Sequence, residues 1–205
     1  MSITDSITEI APADIAPPAR DVCLMAPAAG PWPALPEAAE AADAYFARLV
    51  DEGRLEEAAR FVAAWLGPRR AVWWATLCVW NQLRTTPPEE GYASVAAIDA
   101  AVAWVTDPTE THRRAAQAAA ELIGYATPAG AAATAAFWSE GSISLPGQPE
   151  VPPPAGVAVK AAANAVLMAA AAPSAAEREA TLRQSLRIAA EILAGANLWT
   201  TGVER

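Results

Sequence analysis

Arg69-Arg70-Ala71-Val72-Trp73-Trp74-Ala75-Thr76-Leu77-Cys78-Val79-Trp80-Asn81-Gln82-Leu83-Arg84 is the stretch that decides the fold. Val72, Thr76, Val79, Trp80 and Leu83 recur at helical spacing on one side, while Trp73, Trp74, Leu77 and Cys78 cover much of the other. A helix apolar nearly all round is enclosed by its neighbours. The spacing therefore predicts a central helix over residues 69–84 with the rest of the domain packed around it.

Working outward, Gly67-Pro68 stops one helix and opens the next. Upstream, Leu55, Ala58, Ala59, Val62, Trp65 and Leu66 share a face of a helix over 54–66. Before it, Pro36-Glu37 starts a helix that runs to Glu52 and ends at Gly53. Downstream of the Thr85-Thr86-Pro87-Pro88 break, Val95, Ile98, Val102 and Val105 mark a helix over 94–106. Asp107-Pro108 reads as an N-cap plus first-turn proline, with Glu110 at the reciprocal capping-box position. That fifth helix runs to about Ala126. Thr127-Pro128 starts a sixth, ending near Ser139, and a seventh covers 155–172. Ser174-Ala175-Ala176-Glu177 is a capping box for the eighth, which carries Leu182, Leu186, Ala189, Ile192 and Leu193 to Gly195. Only Ser142-Ile143-Ser144-Leu145 resembles a strand. The expected fold is all-α: about eight helices packed as stacked antiparallel helical hairpins. There is no repeat of fixed length.

Composition agrees. Of 205 residues, 54% are hydrophobic and much of that is alanine, the best helix former and a poor coverer of surface, which favours close-packed helices. Residues 1–36 combine seven prolines with scattered acids and no helical period. They read as an acidic Pro/Ala-rich arm, disordered or loosely docked; Val22, Cys23, Leu24, Met25, Trp32 and Leu35 are its residues apolar enough to dock. Residues 37–199 read as one helical domain interrupted at 140–153, and 200–205 as a flexible tail.

The net charge is −9. Residues 1–53 hold nine acids against Arg20 and Arg48, and the rest is near balance. A chain without a basic footprint is not a nucleic-acid binder. Its one lysine, Lys160, makes no polybasic membrane patch. The apolar run Val157 to Ala172 falls short of the roughly 20 residues a bilayer needs and contains Lys160 and Asn164, so it reads as a buried helix and not as a membrane insertion. Arg69-Arg70 resembles a twin-arginine export signal only superficially, since it lies a third of the way along the chain. Cys23 and Cys78 make no disulfide framework. These features predict a cytoplasmic protein.

Chemistry-bearing constellations are sparse. His112, the only histidine, sits in a polar first turn beside Arg113-Arg114, where a solvated surface role is expected. Neither a Cys/His metal site nor a calcium loop can be assembled. Glu56-Glu57 and Glu89-Glu90 are paired acids, but Arg48/Glu52, Glu56/Arg60, Glu110/Arg114, Glu179/Arg183 and Arg187/Glu191 are spaced as ordinary surface ion pairs. No Gly-rich phosphate loop precedes a helix. The expectation is a protein with no catalytic residue, no metal and no cofactor.

The tryptophans are the informative feature. Trp65, Trp73, Trp74, Trp80, Trp104, Trp138 and Trp199 fall at or near helices, and most are expected in the core. Arg70 and Trp74 are spaced i, i+4, and Trp74, Asn81 and Arg84 can share a side. Two readings of that side stand: an exposed Arg/Trp surface of the kind found at binding hot spots, or a packed cation–π contact. The 140–153 loop, with Ile143 and Leu145, likewise reads either as a docking segment or as a plain connector. Arg70, Trp74, Asn81, Arg84, Ile143 and Leu145 are the candidate partner-binding residues.

Arg69-Arg70-Ala71-Val72-Trp73-Trp74-Ala75, with Ala136-Phe137-Trp138-Ser139-Glu140-Gly141-Ser142 and its Pro-rich continuation, resembles an uncharacterised bacterial family of small helical proteins associated with type VI secretion gene clusters. The resemblance covers about residues 36–195. It implies a context near spike-tip and adaptor genes and carries over no catalytic residue. The expected role is a non-catalytic accessory or effector-loading adaptor whose partner is another protein, a secretion effector or spike-associated component. The alternatives are a small-molecule-binding protein or enzyme with a Trp-lined pocket, and an acidic immunity-type inhibitor of a basic toxin.

Overall fold

At Gly67-Pro68 the chain leaves helical geometry, so the span over residues 55–85 is two helices joined across a kink, as the sequence predicts. Gly67 takes φ 73° and ψ 170°, a conformation open to glycine, and Pro68 fits the restarted first turn because that position needs no amide donor. The computed structural model describes residues 16–26, 36–37, 39–85, 91–145, 147–171 and 174–196. Their helices are α1 (Ala19–Met25), α2 (Ala42–Asp51), α3 (Leu55–Thr85, kinked at Gly67), α4 (Gly91–Thr106), α5 (Glu110–Ile123), α6 (Pro128–Phe137), α7 (Val157–Ala169) and α8 (Ala175–Leu193). Among the described residues there is no strand, and the one extended pairing is a bridge between Pro18 and Ala41. The fold is all-α.

α3 is the axis. It packs against α1, α2, α4, α6, α7 and α8. Neighbours in the chain also pair as hairpins, α4 with α5, α5 with α6 and α6 with α7, and α4 meets α6 across them. The hairpin rule fails at the end: α7 and α8 hardly touch, and both lie on α3 instead. Two side chains show how α3 holds its neighbours. Trp74, fully buried, donates from Nε1 to the Ser185 carbonyl of α8 at 2.7 Å. Arg69 Nε donates to the Val105 carbonyl at 2.8 Å, satisfying an orphan acceptor at the C-terminus of α4 where a cation also suits the helix dipole.

Helix starts divide into local and non-local ones. Thr127 and Ser174 cap α6 and α8 as their sequences require, and the Ser174 and Glu177 capping box is complete. α5 begins later than the Asp107-Pro108 pair suggests: its N-cap is Thr109, whose hydroxyl accepts from the His112 amide, and Glu110 turns to Arg113 and Arg114 instead of back to Asp107. α2 begins at Ala42, not at residue 37, because the preceding backbone is engaged elsewhere. Ala19 N donates to Glu40 O at 2.8 Å and Ala42 N to Pro17 O at 2.9 Å.

That pairing ties residues 16–26 to the body. Ala19, Val22, Cys23 and Ala26 are buried in the core, whereas Leu24 and Met25 face outward. The strand-like run over residues 142–145 forms no strand; Ile143 N donates to Val151 O. No described helix is long and apolar enough to cross a membrane. Residues 1–15, Trp32, Leu35, Pro87-Pro88, Glu89-Glu90, Trp199 and the 200–205 tail lie outside the described residues.

Candidate functional site

The Arg/Trp face of the 69–84 helix does not assemble as an exposed surface. Trp74 is fully buried against α8, so its ring and its donor serve the core. Arg70 is half-buried; its Nε donates at 2.9 Å to the Leu66 carbonyl, one of the acceptors stranded where the helix bends, and burial lowers its pKa. The adjacent arginines thus finish two helix ends. Asn81 and Arg84 are exposed. A side that includes Trp74 by helical periodicity is covered at that residue and open two to three turns later.

The 140–153 loop is held from a direction that the spacing of its own residues does not reveal. Arg113 is 1% exposed. Its Nη1 donates to Phe137 O at 2.7 Å, its Nη2 to Ser142 O at 2.8 Å, and its Nε and Nη2 form a fork on Glu110 at 2.6 and 2.8 Å. Arg114 Nη2 reaches Ser142 O and Ser144 O at 2.9 and 2.7 Å. Both guanidinium groups lie over the Phe137 ring, at 4.7 and 5.3 Å. Glu110, bridging the two, has its pKa lowered to about 2, chiefly by the hydrogen bond from Arg113. Gly141, with φ 68°, lies so close that a Cβ there would come 2.9 Å from Arg113 Nε. The result is a fixed loop that presents Ile143 at 36% and Leu145 at 63% exposure, together with Val151.

Where α7 and α8 part on α3, an open groove of about 860 Å³ remains. α6 supplies Ala131, Thr134 and the Trp138 at its end. α7 turns the stripe Val157, Lys160, Ala161, Asn164, Leu167 and Met168 toward it, all at helical spacing. Glu56 and Arg60 from the first half of α3 and Arg178 from α8 complete the charged side, and Tyr125 and Trp138 flank α6 at its opposite ends. α7 is therefore not buried all round: Lys160 and Asn164 are exposed. Glu56 accepts from Arg178 at 2.6 Å and lies 3.8 Å from Arg60. Lys160 has no ion-pair partner among the described residues. Three cations against one carboxylate give the groove a positive balance in a chain of net charge −9. Tyr125 and Trp138 are 57% and 37% exposed.

His112 is held locally, its Nδ1 2.9 Å from the Asp107 carbonyl and 3.3 Å from that residue's carboxylate. Four of the five spaced ion pairs form, at 3.5 Å (Arg48/Glu52), 3.8 Å (Glu56/Arg60), 2.8 Å (Glu110/Arg114) and 2.9 Å (Glu179/Arg183), whereas Arg187 turns to Gln184. Burial pushes the Cys23 thiol up to about 11 and the Cys78 thiol up to about 12, so neither is a ready nucleophile. No group of three or more His, Cys, Asp or Glu among the described residues is placed to hold a metal ion.

No curated protein and no solved structure matches the chain. A family model does, over residues 45–193, from within α2 through α8. The chain belongs to this family of unknown function, DUF6931.

Proposed function

We propose that this member of the family is a protein-binding module, and that the groove between α6, α7 and the start of α3 is its principal binding surface, with the anchored 140–153 loop at one end. The observation that carries the reading is the lining itself. Exposed aromatic rings stand at both ends of α6, apolar side chains lie between them, and Lys160 and two arginines face the same space. Aromatic and arginine side chains in a concave surface are the composition of binding hot spots. None of the six residues that the sequence singles out lines the groove: Ile143 and Leu145 are exposed on the loop that leads from Trp138 to Val157, and Asn81 and Arg84 are exposed on the central helix.

The resemblance to proteins of type VI secretion gene clusters suggests the partner: a secretion effector or a spike-associated component, with this chain as the adaptor that holds it. The test is capture of partners from the native host by the tagged protein, comparing wild type with Lys160→Glu, Trp138→Ala and, as a distant control, Arg84→Glu. Partner loss from folded Lys160→Glu and Trp138→Ala, with capture retained by Arg84→Glu, supports the reading. Full capture by both folded groove variants refutes it.

A further inference from the structure

The walls of the groove restrict the kind of chain that can fill it. They are helices, whose backbone groups are spent on their own ladders, and among the described residues no strand edge stands beside them. The Thr134 hydroxyl is engaged within its own helix, donating to Gly130 O at 2.7 Å, so the Asn164 amide and the Tyr125 hydroxyl are the further uncharged polar groups of the lining. An extended segment laid here carries a donor and an acceptor at nearly every residue and finds few partners for those it turns inward, each of them costly to leave dry. A helix brings those bonds with it and shows the walls only side chains.

Length and charge narrow the choice further. From Val157 to Met168 the stripe on α7 rises about 17 Å, the length of three turns of a second helix laid beside it. Ala131 and Ala161 line the groove with methyl groups alone, so a helix with apolar residues at i, i+3 or i+4, and i+7 can come close between the exposed Tyr125 and Trp138 rings. Glu56 is the one carboxylate of the lining, and it is already shared by Arg178 at 2.6 Å and Arg60 at 3.8 Å, while Lys160 has no ion-pair partner among the described residues. Three cations less one carboxylate leave two positive charges in a chain of net charge −9. An acidic segment is drawn to such a groove, and a basic one meets like charge there.

We infer that the groove receives an acidic amphipathic helix of the partner, about three turns long, with its apolar stripe between α6 and α7 and its carboxylates toward Lys160, Arg60 and Arg178. This rests on the groove being a protein-binding surface and adds which part of the partner it holds. Such a helix need not be folded beforehand, because an acidic segment whose charges repel one another in solution gains its order on binding. Its attraction to the groove weakens with added salt, since exposed charges are screened over about 8 Å at physiological ionic strength.

The test selects, on immobilised full-length protein, from a display library that tiles the host's proteins in overlapping segments longer than the groove. The enriched segments are expected to carry net negative charge and apolar residues at helical spacing. A synthetic peptide of the most enriched one should gain helical circular dichroism on titration with the protein and bind folded Lys160→Glu roughly tenfold more weakly or worse. At least one Glu→Gln or Asp→Asn change in the peptide should weaken binding to wild type far more than binding to Lys160→Glu, which ties that carboxylate to the amine. Enriched segments that are proline-rich, basic or bound without a gain of helix overturn the inference, as do equal binding to Lys160→Glu and the absence of any enrichment. Enriched segments of this chain itself mean that a second copy fills the groove, and they overturn it too. Partner capture is read separately: if folded Lys160→Glu and Trp138→Ala lose whole partners while no acidic helical segment is enriched, the groove stands as a binding surface and the helical occupant is refuted. If both variants retain every partner, the binding role itself is refuted.

Discussion

Arg113 offers the sharpest test of how the loop end of the domain is held. Truncating it to alanine removes the donor to Phe137 O, leaving a buried acceptor without a partner at a cost of ~1–3 kcal/mol. It also removes the stem and the guanidinium that lie on the Phe137 ring, worth ~1–2 kcal/mol. Two other losses are small. Ser142 O keeps the Arg114 donor, and Glu110, 60% exposed, regains water and keeps Arg114, so its contribution is discounted heavily. The sum is about 2–5 kcal/mol, which for a chain of this size lowers the melting temperature by roughly 5–15 °C. Arg114→Ala, whose side chain is partly exposed, is expected to cost under ~1 kcal/mol. Thermal unfolding followed by far-UV circular dichroism measures both. If Arg113→Ala melts within about 3 °C of wild type, or if Arg114→Ala is the more damaging change, the arginine strap is not what fixes the loop.

Gly141→Ala would place a Cβ at a positive-φ residue and 2.9 Å from Arg113 Nε. It should cost ~1–3 kcal/mol for the backbone and about 1 kcal/mol more for the crowding, and the second part should vanish in the Arg113→Ala background; equal costs in the two backgrounds by denaturant titration would contradict the crowding. Glu110 predicts a pH effect whose sign follows from its depressed pKa. Its contribution is complete above its ordinary 4.5 and is lost as pH falls toward about 2. Trp138 fluorescence should report loosening of the loop in that window, and Glu110→Gln should remove the transition; an unchanged transition would place its origin elsewhere. Iodoacetamide at about pH 8, below the raised thiol pKa values, should leave Cys23 and Cys78 unmodified until denaturant is added, since both are buried and protonated. Rapid stoichiometric labelling of the native protein would contradict their burial.

Local signals in the sequence suffice wherever the deciding interaction spans a few residues. Thr127 and Ser174 cap helices through bonds three residues away, and both starts are legible. The start of α2 is not, because it depends on Pro17 and Ala19 meeting the backbone more than twenty residues on. Trp74 reads as exposable because helical periodicity cannot say which helix covers a face, and Ser185, 111 residues away, covers it. Arg113 and Arg114 read as solvated beside His112, while their acceptors lie 24 to 30 residues downstream. The groove leaves a faint trace: Lys160 and Asn164, four residues apart, interrupt an otherwise apolar run with a single polar stripe. That stripe marks the side of α7 that no described helix covers.

α6 has a consequence for how such a surface changes over generations. Every residue from Ala129 to Phe137 is buried, most of them alanine, so the short helix along the groove is enclosed by neighbours that approach closely. Growth at these positions costs ~1–3 kcal/mol in overpacking, and alanine leaves little to remove. Away from Ala131 and Thr134, which border the groove, the helix can therefore absorb almost no mutational drift. Under the binding role proposed above, recognition would evolve cheaply at Tyr125, at Trp138 and along the outward stripe of α7, where substitutions leave the packing of α6 untouched.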